Sequence, residues 1–146
     1  MNATPTFSRV AGALGAQVGG VDLRTDADAD TVAALHDGLM EHQVLFFREQ
    51  DLTDDEHLRF ARRFGDLSVY PIARAAGSTN ALTIIEDTPD RRPTADTWHT
   101  DMTFMPAPPK LAVLSALVIP AYGGDTLWSS LYAAFDALSP RMQRLC

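Results

Sequence analysis

Cysteine is nearly absent. The only one, Cys146, is the last of 146 residues, so no disulfide can staple the chain and a reducing compartment is expected. Basic residues are also scarce. Lys and Arg number 12 against 19 Asp and Glu, a formal charge of −7. That balance argues against a nucleic-acid partner, which needs a basic face. It leaves room for one small anion held by one or two local arginines. No apolar run approaches the roughly 20 residues that cross a bilayer, so no membrane partner is expected. The longest such run, residues 111–119, is interrupted by Ser115 and bounded by Pro109-Lys110 and Pro120. The first seven residues lack the basic start and apolar stretch of a signal peptide, so a cytoplasmic protein is expected.

What remains is globular in composition, with 46% apolar and 21% charged residues. A chain of this length can bury roughly 68–70% of its unfolded surface, enough for one core. Residues 7–23 carry Gly15, Gly19 and Gly20 between Val10, Val18, Val21 and Leu23, which reads as short strands joined by tight turns. Residues 28–41 read as a helix. Val32, Leu35 and Leu39 share a face, and Asp28 or Asp30 caps the start. Residues 44–47, Val-Leu-Phe-Phe, form a buried strand by the same reasoning.

Thr53-Asp-Asp-Glu56 has the spacing of a capping box, so a helix is expected over residues 53–64 with Gly65 as its C′ residue. Further strands are expected at 82–85, 97–103, 111–118 and 126–128, with loop at 87–95 and a short helix at 131–138. Ser139-Pro140 opens another helix, with Ser as N-cap and Pro at the first helical position. Few residues follow it, so the chain stops inside an element.

His99-Thr-Asp101 is the pattern with chemical content. On a strand, residues i and i+2 point to one face, so an imidazole and a carboxylate can meet on a single metal ion. Two such groups are two-thirds of the 2-His-1-carboxylate triad that binds Fe(II) and leaves positions open. The tripeptide alone is unspecific, since about 0.5 His-x-acid matches arise by chance in this composition. On the tripeptide alone, a His and an Asp that merely cap turns are the simpler reading. His36, His42 and His57 lie in or beside helices among polar neighbours and read as solvated or as helix-end partners. Arg62-Arg63 reads as a solvated face.

The surroundings of the tripeptide say more. Trp98-His-Thr-Asp-Met-Thr-Phe104 is followed by Pro108-Pro109 and by Tyr122-Gly-Gly-Asp-Thr-Leu-Trp-Ser-Ser130. Before it come Leu14-Gly-Ala-Gln-Val-Gly-Gly-Val-Asp-Leu23, Val44-Leu-Phe-Phe-Arg48 and Phe64-Gly-Asp-Leu67. This ordered set resembles the taurine dioxygenase-like (TauD/TfdA) family of Fe(II)- and 2-oxoglutarate-dependent dioxygenases, over about residues 12–138. The resemblance implies an α+β or mostly β fold. Specifically, it implies an incomplete double-stranded β-helix (a cupin-like jelly-roll) with flanking helices. It makes residues 1–146 the N-terminal part of one domain.

By the same resemblance His99 and Asp101 match the first two iron ligands. Thr126 matches the residue whose hydroxyl holds the distal carboxylate of 2-oxoglutarate, though read alone it is an ordinary strand threonine. Trp98 and Trp128 lie near these positions, and core packing is the simpler reading of both. The family's second histidine and the arginine that pairs with 2-oxoglutarate have no match, because no histidine follows His99 and only Arg141 and Arg144 follow Thr126. The chain alone is therefore expected to hold iron weakly, to leave strand edges open and to be unstable or inactive.

The implied cofactors are Fe(II), 2-oxoglutarate and O2, and the implied reaction hydroxylates a substrate carbon with release of succinate and CO2. The implied partner is a small anionic molecule: taurine, another sulfonate, an alkyl sulfate or an aryloxy or small carboxylate. Homo-oligomerisation of the full-length enzyme is left open. The asparagine that precedes the histidine motif in taurine enzymes is absent from Pro93-Thr-Ala-Asp-Thr97, which speaks against taurine itself. The histidine that follows their Phe-Gly-Asp-Leu is replaced by Ser68-Val-Tyr-Pro71. Tyr70 either donates there to an anionic substrate or packs on the barrel mouth. The competing reading is a non-catalytic truncated fragment or strand-pairing module.

Overall fold

Alternation and glycine placement build the first hairpin. The computed structural model of the chain describes residues 4–88, 90, 95 and 97–146. Strands β1 (Thr6–Arg9) and β2 (Ala16–Gly19) pair antiparallel, with Phe7 opposite Val18. Ala16 and Val18 point inward and are buried, while Gln17 faces out, the period of two that a half-buried strand requires. Gly15 closes the turn with φ +95°, where a Cβ would come within 2.9 Å of the Val10 side chain. Its N–H donates to His42 O at 2.8 Å, and Val10 N–H donates to Gly15 O at 3.0 Å.

Helix α1 (Ala29–His42) follows, capped by the Asp28 side chain, which accepts from Thr31 N–H. Gln43 ends it in the left-handed region at φ 65°, and its N–H donates to Leu39 O. Strand β3 (Leu45–Phe47) then pairs parallel with β2, so β2, α1 and β3 make a β-α-β unit and the sheet order is β1-β2-β3. Leu35, fully buried, anchors the helix. Gly38 lets α1 pass beneath the Phe7 ring. Gln50 fastens the strand exits. Its side-chain oxygen accepts from Leu23 N–H at 2.8 Å, and its amide donates to Arg48 O at 2.9 Å.

Two units divide the chain, one of residues 1–51 and 116–146, the other of residues 52–115. In the first, beyond the sheet, lie α4 (Leu131–Asp136) and α5 (Pro140–Gln143), capped by the hydroxyls of Ser130 and Ser139. The second begins with α2 (Asp54–Arg62). Its capping box is complete, with Glu56 N–H bonded to Thr53 Oγ1 and Thr53 N–H bonded to the Glu56 carboxylate. Phe60 is buried and meets Phe64 edge-on at 5.4 Å. Helix α3 (Pro71–Ala75) follows.

Several expectations need correction. Residues 82–85, 97–103, 111–118 and 126–128 are not strands. Along residues 111–115 burial still alternates between half-buried and exposed, the signature of a strand face, but no strand pairs with it among the described residues. A strand is held by its ladder, and apolar alternation alone does not make one. The sheet formed is accordingly three short strands, and helices outweigh strands among the described residues, against a mostly β reading.

Helix α2 stops at Arg62 with Arg63 as C-cap, so Gly65, at φ +139°, lies one residue beyond the expected C′ place. Helix α4 ends at Asp136, two residues short. His42 is inside α1 and buried against Phe7, with ring centroids 5.9 Å apart, rather than solvated. His57 is not solvated either, because its Nε2 bonds Val113 O at 2.9 Å and ties α2 to the 111–115 segment. Trp98 is exposed rather than packed, and Trp128 meets Phe46 edge-on at 5.4 Å while staying partly exposed.

Candidate functional site

His99 and Asp101 are brought together, but in irregular backbone that leads into a turn and not on a strand. Residues 101–104 turn, Met105 N–H donates to Met102 O at 3.0 Å, and Met102 takes φ 57°. A left-handed residue that is not glycine is uncommon and marks a backbone held by its surroundings. His99 Nε2 lies 3.3 Å from Asp101 Oδ1. The other ring nitrogen, Nδ1, lies 2.8 Å from the backbone oxygen of Thr97. A carbonyl oxygen only accepts, so Nδ1 carries the proton and donates. Nε2 is the ring nitrogen on the side of the carboxylate. This is the ring orientation that a metal-bound histidine needs, fixed by a hydrogen bond from the other nitrogen.

The spacing fits a shared ion. Two donors each about 2.1 Å from one ion stand about 3.0 Å apart at a right angle and about 3.4 Å apart at a tetrahedral angle. The observed 3.3 Å lies in that interval. An imidazole nitrogen with a carboxylate oxygen suits a borderline divalent metal such as Fe(II). Both side chains are more than half exposed, so the pair is open to solvent and to further ligands. No group of three or more metal-ligating side chains occurs among the described residues. The two residues present therefore fit two positions of an iron site and not a closed one.

No hydrogen bond joins Tyr70 to this pair among the described residues. Tyr70 is the N-cap residue of α3 and is exposed. Thr126 lies in irregular structure of the unit formed by residues 1–51 and 116–146, also exposed. The stretch in which asparagine is missing falls largely outside the described residues. Sequence reasoning missed the Thr97 carbonyl, since a backbone acceptor leaves no trace in residue type. The tether from His57 to Val113 was equally hidden, its only signal being a histidine on the half-buried side of α2.

An alkylsulfatase of Acinetobacter baylyi is 40% identical over 131 residues, which cover 89% of this chain and 41% of that protein. The alpha-ketoglutarate-dependent sulfate ester dioxygenase of Pseudomonas putida is 39% identical over 137 residues, covering 93% of this chain and 45% of that protein. The chain thus spans under half the length of these two relatives. The crystal structure of AAD-2 in complex with Mn(II) and N-oxalylglycine superposes with a TM-score of 0.74 at 27% identity, covering 97% of this chain and 49% of that one. The family model of the taurine catabolism dioxygenases TauD and TfdA matches residues 6–146, and the chain belongs to that family.

Proposed function

We propose that residues 1–146 are the N-terminal part of one jelly-roll dioxygenase domain and supply two of its three iron ligands, His99 and Asp101. The observation that carries this reading is the approach of His99 Nε2 to 3.3 Å from Asp101 Oδ1. The Nδ1 proton held by Thr97 O supports it. The cofactors are Fe(II), 2-oxoglutarate and O2. Together they supply hydroxylation of a substrate carbon, with loss of succinate and CO2. The chain's own residues bind and orient. The Thr97 carbonyl keeps the His99 ring in one tautomer, and Asp101 adds the negative charge that favours a cation. In this reading Thr126 donates its hydroxyl to the distal carboxylate of 2-oxoglutarate, and Tyr70 donates to the anionic head of the substrate.

The substrate class is a small sulfur oxyanion ester or sulfonate. Two relatives named for sulfate esters, at 39% and 40% identity, support sulfate esters ahead of taurine. A second reading is favoured by one observation. Leu114, Leu117, Val118 and Ile119 are all exposed, an apolar stretch suited to pairing with another chain. In that reading the chain is a non-catalytic strand-pairing module.

The test incubates the 146-residue chain, and any longer product of the same reading frame, with Fe(II), 2-oxoglutarate and a panel of alkyl sulfates, alkyl sulfonates and taurine. Sulfate or sulfite release by the longer product alone supports the dioxygenase reading and makes the 146-residue chain a part of it. Turnover by the 146-residue chain itself overturns the incomplete-site account. No turnover from either, with a genuine stop after Cys146, supports the pairing module.

A further inference from the structure

Within residues 52–115 an open groove of about 810 Å³ has a chemistry that the iron pair does not explain. Its polar lining is Asp66, Ser68, Arg74, Ser78, Thr79 and Lys110. Three hydroxyls line it together with Arg74, Lys110 and one carboxylate. No carboxylate pairs with Arg74 among the described residues. In an acid-rich chain, an arginine that opens onto a groove with no carboxylate on it among the described residues can donate to an oxyanion, which its planar fork binds through two parallel N–H groups.

The wall that carries Arg74 is fixed by its backbone. Helix α3 closes in a paired C-terminal motif, with Ser78 N–H bonded to Ala73 O at 2.9 Å and Gly77 N–H bonded to Arg74 O at 3.0 Å. Gly77 sits at φ +86°, which that motif requires of the residue after the cap. Ser78 Oγ in turn accepts from Asn80 N–H at 3.2 Å, which sets the course of the chain past Thr79. Arg74 and the two hydroxyl residues thus leave one short rigid corner, and Ser68 and Val69 line the groove just before Tyr70, the N-cap of the same helix.

We propose that Arg74 holds the sulfur oxyanion head of the substrate in this groove and is a specificity-determining residue of the enzyme. The proposal rests on the substrate class given above, and its test is read without turnover. Hexyl sulfate is titrated into the full-length protein by calorimetry, with 1-hexanol as the neutral control. Thermal unfolding checks each variant's fold, and Mn(II) is titrated into the same samples.

Hexyl sulfate is expected to bind. R74Q should weaken it about tenfold or more with Mn(II) affinity and unfolding temperature unchanged, and R74K should recover part of the loss. 1-Hexanol should bind poorly to both forms. Equal affinity of wild type and R74Q for hexyl sulfate overturns the proposal. Displacement of hexyl sulfate by 2-oxoglutarate in the R74-dependent site assigns the groove to the co-substrate and overturns it as well. Loss of the iron-pair reading is seen separately, as Mn(II) binding that does not change in H99A.

Discussion

Substituting Gly38 by alanine should destabilise the protein, although the same change in an exposed helix interior stabilises it. Gly38 is a buried position within α1. Alanine in a free helix is about 1 kcal/mol better than glycine. Here the added Cβ would lie 2.5 Å from Phe7 Cζ, well inside contact distance. Relieving that clash means moving the Phe7 ring, which is stacked at 5.9 Å on the buried His42 and belongs to β1. Overpacking of this kind costs about 1–3 kcal/mol. Because Phe7 is only half-buried, the ring has some room and the cost stays near the middle of that range, about 2 kcal/mol. The net loss is about 1 kcal/mol, or roughly 3 °C in Tm for a chain of this size. Urea unfolding of G38A alone and with F7L measures it. G38A should lose stability, and F7L in the G38A background should cost less than F7L in the wild type. A G38A protein more stable than wild type by about 1 kcal/mol would refute the packing of β1 on α1.

Two further perturbations test the local structure. T53A removes the oxygen that accepts from Glu56 N–H at 3.3 Å, so it should cost about 1 kcal/mol in urea unfolding, and T53S should restore most of it. The Asp22 carboxyl is held below its ordinary value of 3.8, first by side-chain hydrogen bonds from the Arg24 guanidinium and then by the Arg24 backbone N–H. A depressed carboxyl stabilises the fold above its unfolded pKa and loses that contribution as pH falls through the folded pKa. D22N should therefore flatten the acid side of the stability profile below about pH 4 and leave pH 7 to 8 parallel to wild type. A D22N profile that parallels wild type down to pH 2 would remove the Arg24 pair from the account.

Local signals carried the parts of the fold that local chemistry decides. Asp28, Thr53, Ser130 and Ser139 each cap a helix because a short polar oxygen beside an orphan N–H acts within four residues. The capping box at Thr53 and Glu56 was legible for that reason. The expected strands at 82–85, 97–103, 111–118 and 126–128 do not form, because apolar alternation states which face is buried and not which ladder holds it. His42 fits the helix-end alternative, in the last turn of α1, but the tertiary partners of His42 and His57 were not legible for a related reason. Their partners, the Phe7 ring and the Val113 carbonyl, are 35 and 56 residues away in sequence, beyond any local pattern. The approach of His99 to Asp101 was legible as a spacing, i and i+2, yet the structure reaches it through irregular backbone and not through a strand. Spacing places both side chains within reach of one point, and more than one backbone path satisfies it.

The central claim is that His99 and Asp101 hold the iron of a 2-oxoglutarate-dependent dioxygenase. Its most direct test is Fe(II)-dependent conversion of 2-oxoglutarate to succinate by the full-length protein with hexyl sulfate, measured for wild type and H99A side by side. The account predicts succinate formation by wild type that disappears when Fe(II) is withheld and falls at least about a hundredfold in H99A. Equal succinate formation by H99A and wild type would contradict it and remove the pair from the iron site.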